Sequence, residues 1–418
     1  MLLEFQVENY KSIRNPQKLS FVGSNYSPEL PDNYTTINSP GLAGARILRA
    51  LAVYGPNASG KSNLLSAFSY FCRFAGTSFS IPAERKTGVV PFAFDEGSQQ
   101  GATKFEATLF LEGCRYTYGL ALNGDYVTEE YLVAFPNGRV QIWFEREWQP
   151  DREEYTWSPP NEFFKYDDTI KASTRNNCSF LSTGTQFNHE KLTTISRWFS
   201  KNITNCTNLD PTATAKALDS SEAIDSAQIL KLITSADLGI SNLTARRVPS
   251  SEFKSRWGEI ADALPENFIA RYDIEIFHRS GDQNIPLSFY SESEGTKKMF
   301  SLSGPWLSAI KQGHLILIDE IESSLHPFLV RELIALLLSP KTNPNNAQLL
   351  FTTHNPLLLD NSFMRRDQFW FTEKDNDGGT HIYPLTDHKP RQCEALMRGY
   401  IAGRYGGLPF IPEGLLPQ

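Results

Sequence analysis

A glycine-rich loop near the start of the chain, GPNASGKS, has the spacing of a phosphate-binding loop. Its glycines let successive backbone N–H groups turn toward a phosphate, and a helix beginning near Lys61 would add its positive end. Lys61 would reach the β- and γ-phosphates, and the Ser62 hydroxyl would coordinate Mg²⁺. The loop therefore predicts a bound nucleotide with Mg²⁺, and its candidate ligands are Gly55, Pro56, Asn57, Ala58, Ser59, Gly60, Lys61, Ser62 and Asn63.

A second candidate group lies at the ends of two apolar runs far along the chain. Asp319 and Glu320 end the run LILIDE, and His354 directly follows the run LLFTT. Carboxylates at the carboxyl end of a strand can meet a phosphate-bound metal. Asp319 would hold Mg²⁺, directly or through water, Glu320 would deprotonate the attacking water, and His354 would contact that water or the γ-phosphate. The alternative interpretation is solvated polar residues at strand ends, and the phosphate loop upstream favours the catalytic one.

A third candidate is the segment SESEGTKKMFSL, in which Ser293 and Gly295 stand ahead of a helix and before LILIDE. This order is similar to the signature motif of ABC-type ATPases, where a Ser and a Gly open a helix that contacts the other subunit's γ-phosphate. The usual Leu-Ser-Gly-Gly-Gln is absent, and a serine before a helix is also an ordinary N-cap. The complete order of loop, SEGT, carboxylates, SSLHP and histidine favours the signature interpretation.

The elements that must position these residues can be predicted from hydrophobic periodicity. LEFQVENY alternates as an edge or meander strand would, and residues 104–135 predict three antiparallel strands with turns at Glu112-Gly113 and Asn123-Gly124. HLILIDE and AQLLFTTH are all-apolar strands of the buried parallel kind. The remaining predictions are a strand at 47–54, helices at 63–71 and 328–338, and short helices in polar linkers over 187–264.

Composition excludes several classes of protein. The 418 residues carry a net charge of −7, so a nucleic-acid site could only be a local patch. No apolar run approaches the roughly 18 residues of a membrane span, and the N-terminus does not resemble a signal peptide. The five cysteines are scattered without C-x-x-C pairs, which suits a reducing cytoplasm and argues against structural zinc. We therefore expect a cytoplasmic protein with no membrane partner.

Six segments together resemble the OLD-like branch of ABC ATPases, relatives of RecF and the SMC proteins: FQVENYKSI, GPNASGKSNLL, PFAF, SEGTKK, LILIDEIESSLHP and LLFTTHNPLLLD. The similarity is greater to the bacterial ATPases named after the abortive-infection (AbiLi) and RloA proteins. Segments such as NCSFLS, ISRWF, RRDQFWFTEKD and GYIAGRYGGLPF extend it over nearly the whole chain.

The resemblance implies an α/β fold, an ABC-type P-loop NTPase head with an antiparallel β subdomain and a helical insertion. It implies half-heads at 1–154 and 286–418 that flank a mostly helical insertion or lid at 155–285. It also implies ATP and Mg²⁺ as cofactors and a head-to-tail dimer, or higher homo-oligomer, with ATP at the interface. Gly55, Gly60, Lys61 and Ser62 would bind phosphate, Ser293 and Gly295 form the signature, Asp319 and Glu320 the metal and catalytic pair, and His354 the switch.

Two features depart from the family pattern or remain unassigned. The signature is degenerate, and only Gln99 and Gln100 are candidates for the Q-loop. In the insertion, the aromatic residues Trp198, Phe199 and Trp257 fit either a partner-binding surface or, more commonly for such spacing, a core.

The OLD-like relatives with a C-terminal Toprim nuclease raise the question of a second active site. Only about sixty residues follow His354, too few for a typical domain, so we expect this nuclease to be missing. The acidic residues Glu373, Asp375 and Asp377 could bind a metal, but a polar hairpin turn is the favoured interpretation.

Three functions are compatible with such an ATPase. The first is anti-phage (abortive-infection) defence, in which the protein senses or scaffolds and controls a separately encoded effector, a nuclease, a Toprim-like protein or another toxin. The second is a RecF- or SMC-like DNA-repair ATPase that acts on DNA ends or gaps, with nucleic acid as partner. A transporter ATPase is disfavoured because the signature is poor and the insertions do not suit a compact transporter subunit.

Overall fold

The computed structural model describes residues 1–24, 30–207, 209–219, 223–235, 239–258, 271–391 and 395–409. The strands are β1 (Leu2–Glu8), β2 (Gln17–Ser20), β3 (Tyr34–Ile37), β4 (Ala45–Leu48), β5 (Ala50–Tyr54), β6 (Thr103–Leu111), β7 (Cys114–Leu122), β8 (Val127–Phe135), β9 (Gln141–Gln149), β10 (Glu154–Trp157), β11 (Ile203–Asn205), β12 (Ile240–Arg247), β13 (Tyr272–Ser280), β14 (Gln283–Ser288), β15 (Leu315–Ile318), β16 (Gln348–Thr353), β17 (Phe369–Lys374) and β18 (Thr380–Pro384). The helices are α1 (Lys61–Thr77), α2 (Glu96–Gln100), α3 (Asp168–Ser173), α4 (Phe180–Gln186), α5 (Glu190–Lys201), α6 (Thr212–Asp219), α7 (Ala223–Thr234), α8 (Ser250–Trp257), α9 (Glu294–Gln312), α10 (Pro327–Leu338) and α11 (Leu396–Ile401).

A six-stranded sheet in the order β11-β15-β16-β5-β17-β18 positions the candidate site. Every neighbouring pair in it is parallel except β17–β18. The phosphate loop follows β5, the carboxylates follow β15, and His354 follows β16, the strand between them. Because parallel strands end at the same edge of a sheet, these three segments meet there.

The alternation of side chains along the central sheet separates two hydrophobic cores. In β5, Leu51 and Val53 face the core shared with α1 and the antiparallel strands. Ala50, Ala52 and Tyr54 face the core shared with α9 and α10. The central strands are therefore buried on both faces, as their all-apolar sequences predict.

A seven-stranded antiparallel sheet, ordered β10-β9-β8-β7-β6-β1-β2, covers the other side of α1. The three predicted strands over 104–135 are confirmed as β6, β7 and β8, with Glu112 (φ 48°) and Gly113 (φ 80°) in the first turn. Helix α1 lies between the two sheets, with the Phe68 ring 4.9 Å from that of Phe5 and the Phe71 ring 5.5 Å from that of Phe105. The α/β fold class with an antiparallel β subdomain is confirmed.

The segment 155–285 contains strands that the sequence did not predict. The predicted helices over 189–199 and 226–239 correspond to α5 and α7, but β11 adds to the edge of the central sheet and β12–β14 form a third, antiparallel sheet. The helix expected at 255–264 begins earlier, as α8, and the end of that range lies outside the described residues. The division into 1–154, 155–285 and 286–418 therefore stays a prediction.

The aromatic pair of α5 belongs to the core. Trp198 and Phe199 are buried, and the Phe199 ring lies 5.2 Å from Phe71 and 5.5 Å from Tyr118. The core interpretation of these two residues is confirmed, while the Trp257 side chain lies outside the described residues. Within the described ranges, no helix is both long enough and apolar enough to cross a membrane.

Candidate nucleotide-binding site

Two glycines of the phosphate loop sit where no other residue fits. Gly60 has φ 108° and precedes α1, and a Cβ on it would lie 2.2 Å from Thr380 Oγ1. A Cβ on Gly55 would lie 2.2 Å from Thr372 Oγ1. The close backbone approach that these glycines permit leaves the loop as a shallow cradle at the amino end of α1, the arrangement that suits an anion.

Lys61 is held inside the loop. Its Nζ donates to the carbonyl oxygens of Gly55 at 2.8 Å and Pro56 at 2.9 Å. Burial lowers the pKa of Lys61, and the nearby carboxylates Asp319, Glu320 and Glu322 oppose that shift. The ammonium group therefore lies in the field of the acids at the ends of the neighbouring strands.

Side-chain hydroxyls from distant segments fasten the loop. Ser59 Oγ shares a 2.6 Å hydrogen bond with Thr372 Oγ1, and Thr380 Oγ1 donates to the Ser59 carbonyl at 2.9 Å. Ser12 Oγ bonds to Thr380 Oγ1 at 2.8 Å and accepts from Asn63 Nδ2 at 2.7 Å. Neither threonine is evident from the sequence alone, although Thr372 stands out as a hydroxyl at the end of the otherwise apolar run FWFT.

The carboxylates after β15 are organised by Thr352 of β16. Thr352 Oγ1 donates to Asp319 Oδ1 at 2.5 Å and accepts the backbone N–H of Glu320 at 2.8 Å. Glu320 adopts φ 48°, a left-handed conformation that costs a non-glycine residue about 1–2 kcal/mol. Its side chain is 56% exposed. Backbone strain of this kind concentrates at functional sites, which supports a role for Glu320.

The structure places His354 beside Glu320. His354 Nε2 is 3.8 Å from Glu320 Oε1. The structure adds a third acid that the sequence analysis did not consider, Glu322, whose Oε1 accepts the backbone N–H of His354 at 2.5 Å. Its signal was available in the string DEIE, where a second acid follows the predicted pair.

The SEGT segment opens α9 next to the SSLHP segment. Ser293 Oγ accepts the Thr296 N–H at 3.1 Å, so the N-cap geometry is present. A Cβ on Gly295 would lie 2.8 Å from the Ser324 carbonyl, and Lys298 Nζ donates to the Glu320 carbonyl at 3.1 Å. Among the described residues, no hydrogen bond joins Ser293 or Gly295 to the loop at 55–62. Their signature role stays a prediction.

Among the described residues, no hydrogen bond or ion pair joins the Q-loop candidates or the acidic residues Asp375 and Asp377 to this site. Gln99 lies in α2 and donates to the Ala93 carbonyl at 2.6 Å, and Gln100 is exposed in the same helix. Asp375 accepts from the N–H groups of Asp377 and Gly379, which is a turn, and the hairpin interpretation of this segment is confirmed.

The acid of β17 has a different partner. Glu373 Oε1 accepts the Gly407 N–H at 2.7 Å. Throughout the part of the chain that the structure describes, no group of three or more His, Cys, Asp or Glu side chains could hold a metal ion.

A known protein family matches most of this chain. Residues 51–360, well over half of the chain, match the family described as "AAA domain, putative AbiEii toxin, Type IV TA system". The chain belongs to this family. The match shows an AAA domain, and the matched range begins in β5 and ends just after the His354 segment.

Solved structures with similar folds are SMC head domains, at low similarity. The SMC head domain from Thermotoga maritima is 14% identical, with a TM-score of 0.41 over 92% of this chain and 98% of that one. The Smc head domain from Pyrococcus furiosus, solved with an extended coiled coil and bound to the C-terminal domain of ScpA, is 12% identical, with a TM-score of 0.38 over 93% and 97%. No curated protein matches the chain.

Proposed function

We propose that the protein binds and hydrolyses ATP as an OLD-like ABC ATPase of the RloA/AbiLi type. In this proposal it forms an ATP-sandwich dimer and controls a separately encoded toxic or nuclease effector in bacterial anti-phage defence. The observation that carries the enzymatic part is the meeting of Lys61, Asp319, Glu320 and His354 at one edge of the central sheet.

The residues present fit ATP with Mg²⁺. The glycine cradle at Gly55 and Gly60 admits a phosphate chain against backbone N–H groups. Ser62 and Asp319 offer the oxygen donors that Mg²⁺ prefers, and Mg²⁺ usually keeps several water and phosphate ligands besides one or two from protein. When bound, Mg²⁺ would supply positive charge that offsets the negative charge of the phosphate chain.

The protein's own residues divide the chemistry. Lys61 exchanges its bonds to the Gly55 and Pro56 carbonyls for bonds to phosphate oxygens, without leaving the loop. Glu320, mostly exposed and free of a strong ion pair, accepts the proton of the attacking water. His354, 3.8 Å away, orients the Glu320 carboxylate and excludes other water from that side. Thr352 holds Asp319 and the Glu320 backbone in register.

The start of α9 and the SSLHP segment lie side by side, as the proposed dimer requires. Ser293 and Gly295 are exposed or half-exposed, and Gly295 lies against the Ser324 backbone. Both segments therefore form one surface, which a second copy can oppose with its own phosphate loop.

The dimer is tested with Ser293→Arg, a bulky cation at the start of α9. We expect each subunit to bind ATP with unchanged affinity while ATP-driven association is lost, as followed by light scattering. Ser291→Arg, just outside the helix cap and equally exposed, is the matched control. A Ser293→Arg protein that still dimerises with ATP and turns over normally would restrict SEGT to capping α9.

The defence role is supported by the matched family, whose description names a toxin of toxin–antitoxin systems, and by the resemblance to abortive-infection ATPases. The experiment is a plaque assay on cells that carry the native operon, with the protein intact or altered at Lys61, followed by co-purification of its partners. Protection that requires Lys61 together with a co-purified effector supports the proposal. ATP hydrolysis stimulated by gapped DNA at moderate salt, without any protection, would favour the DNA-repair alternative.

A further inference from the structure

Glu322 is a carboxylate in the candidate site that has no role in the chemical steps of the proposed hydrolysis. It lies two residues beyond Glu320 and is half-buried. Its Oε1 accepts the His354 N–H at 2.5 Å, whereas its Oε2 is buried without a hydrogen-bond partner among the described residues. A buried polar atom left unpaired costs free energy, so its presence beside the reacting groups calls for a physical reason.

The bond from Glu322 joins the two segments that carry the reactive side chains. Glu322 lies in the turn that follows β15, and His354 is the first residue after β16. The same two segments present Glu320 and His354 to each other at 3.8 Å. The Glu322–His354 bond therefore adds a direct link between the segments that carry these side chains, beside the bonds that Thr352 makes to Asp319 and Glu320.

A second tether holds the chain on the other side of His354. Tyr54 Oη donates to the Asn355 carbonyl at 3.1 Å, and Tyr54 is the last residue of β5 before the phosphate loop. Burial, with a contribution from Glu322, raises the pKa of Tyr54 well above its usual value, so the phenol stays protonated and can donate. The backbone at 354–355 is thus held by Glu322 from the turn after β15 and by Tyr54 from the end of β5.

The charge of Glu322 also balances two cations. Burial lowers the pKa of Lys61 and of Lys298, and Glu322 opposes the shift in both. Lys298 comes from α9 and donates to the Glu320 carbonyl. One carboxylate therefore lies in the field of the loop lysine and of the helix that opens with SEGT.

We infer that Glu322 is a positioning residue for ATP hydrolysis, which holds the His354 backbone so that the imidazole faces Glu320. This inference rests on the proposed ATPase function. Glu322 acts through His354 and does not touch the reacting atoms. The hydrogen bond to the backbone N–H carries the effect, and the negative charge is secondary.

Two substitutions separate the bond from the charge. Glu322→Gln keeps an acceptor oxygen and the shape of the side chain, whereas Glu322→Ala removes both. We expect Glu322→Ala to lower kcat by about 10- to 100-fold, because a displacement of about 1 Å in a reacting group can cost that much. The Kd for ATP should change by less than about threefold, since the phosphate cradle is intact, and Glu322→Gln should keep most of the parental kcat.

The matched control is Glu332→Ala, which removes the same charge from an exposed position of α10 and should leave kcat unchanged. The decisive comparison is a double-mutant cycle with His354→Ala. If Glu322 acts through His354, Glu322→Ala should cost almost nothing further in that background. Additive losses, a Glu322→Gln protein as poor as Glu322→Ala, or an unimpaired Glu322→Ala would each overturn the inference.

A measurement without turnover separates this inference from the proposed function. Hydrogen–deuterium exchange on the intact protein should show faster exchange at the His354 amide in Glu322→Ala than in the parent and in Glu322→Gln. A parent that hydrolyses no ATP would refute the proposed function, and unchanged exchange at His354 would refute the tether.

Discussion

Two carboxylates of this protein, Glu130 in the antiparallel sheet and Glu320 at the end of β15, are treated in opposite ways. Glu130 is fully buried, and its oxygens are used by Arg146 at 2.7 Å, by Tyr118 Oη at 2.9 Å and by the N–H groups of Phe180 and Leu181. Burial has the largest single effect and lowers the pKa of Arg146, but Glu130, Tyr155 and Cys178 together raise that pKa above its usual value. This group joins β8, β9 and the start of α4 into one unit.

Glu320 has none of this support. Its side chain is mostly exposed, its backbone is left-handed, and among the described residues the nearest basic side chain to its carboxylate is that of His354, at 3.8 Å. A carboxylate with every lone pair engaged stabilises a fold but is a poor base, whereas a weakly paired one is free to take a proton. Hydrogen-bond saturation therefore distinguishes the structural acid, Glu130, from Glu320, the acid that we propose to be reactive.

The largest expected effect breaks the reactive side of this comparison. Glu320→Gln keeps the shape of the side chain and leaves Asp319 in place but removes the base, so ATP hydrolysis should slow by on the order of 10²–10⁴ while ATP still binds.

Lys61→Ala should fail differently, with ATP affinity lower by about 10- to 100-fold, because a charged hydrogen bond is lost. Nucleotide binding and phosphate release measured side by side distinguish the two, and parental hydrolysis by Glu320→Gln would refute the assignment.

Removal of the structural acid should destabilise the fold and leave the chemistry intact. Glu130→Ala strands Arg146 as a buried, unpaired charge, at a cost of about 3–5 kcal/mol in the free energy of unfolding. Urea denaturation gives this value, and ATP binding by the folded fraction should be unchanged. A loss of ATP affinity without a loss of stability would contradict the structural role.

A smaller effect is expected where the loop is fastened. Thr372→Val keeps the volume but leaves Ser59 Oγ and the Tyr54 carbonyl without this hydroxyl, which should cost about 1–3 kcal/mol and weaken ATP binding a few-fold. Thr372→Ser, which retains the hydroxyl, is the matched control. Equal ATP affinity in both variants would show that the loop holds its shape without Thr372.

The smallest expected effect is at Glu129, which precedes Glu130 in β8 but, within the described part of the chain, lacks its hydrogen-bond partners. Partial burial raises the pKa of Glu129, and Glu145 and Glu147 add to the shift. An acid whose pKa is raised on folding destabilises the fold when ionised, so Glu129→Gln should increase stability slightly at neutral pH. The gain in stability should vanish as the pH falls below about 4.5, the pKa of Glu129 in the unfolded state. Below that pH, Glu129 is protonated in both the folded and the unfolded state. A loss of stability at neutral pH would contradict this.

The sequence was sufficient for the groups that depend on local order along the chain. The loop before α1 and the acids after β15 could be predicted because each follows an apolar strand within a few residues. The hydrogen bond between Ser59 and Thr372 could not be predicted from the sequence. It depends on β17 lying beside β5, a pairing between segments more than three hundred residues apart. The bond from Glu322 to His354 is hidden for the same reason, since it depends on two adjacent turns.

The third sheet, β12–β14, was not predicted although β13 alternates over Tyr272–Ile276, because β12 and β14 do not sustain such an alternation. All six residues of β14 are exposed, so no buried face imposes a period of two on that strand.

Helix α1 is packed on the central sheet on one side and on the antiparallel sheet on the other. A close-packed interior of this kind transmits displacement and does not absorb it. The helix therefore cannot absorb a displacement at its amino end by bending or compressing when a phosphate binds there or leaves. In the proposed ATP cycle we expect the loop, α1 and both sheets to move together as one rigid body, with the largest displacements at the contact between two subunits of the proposed dimer.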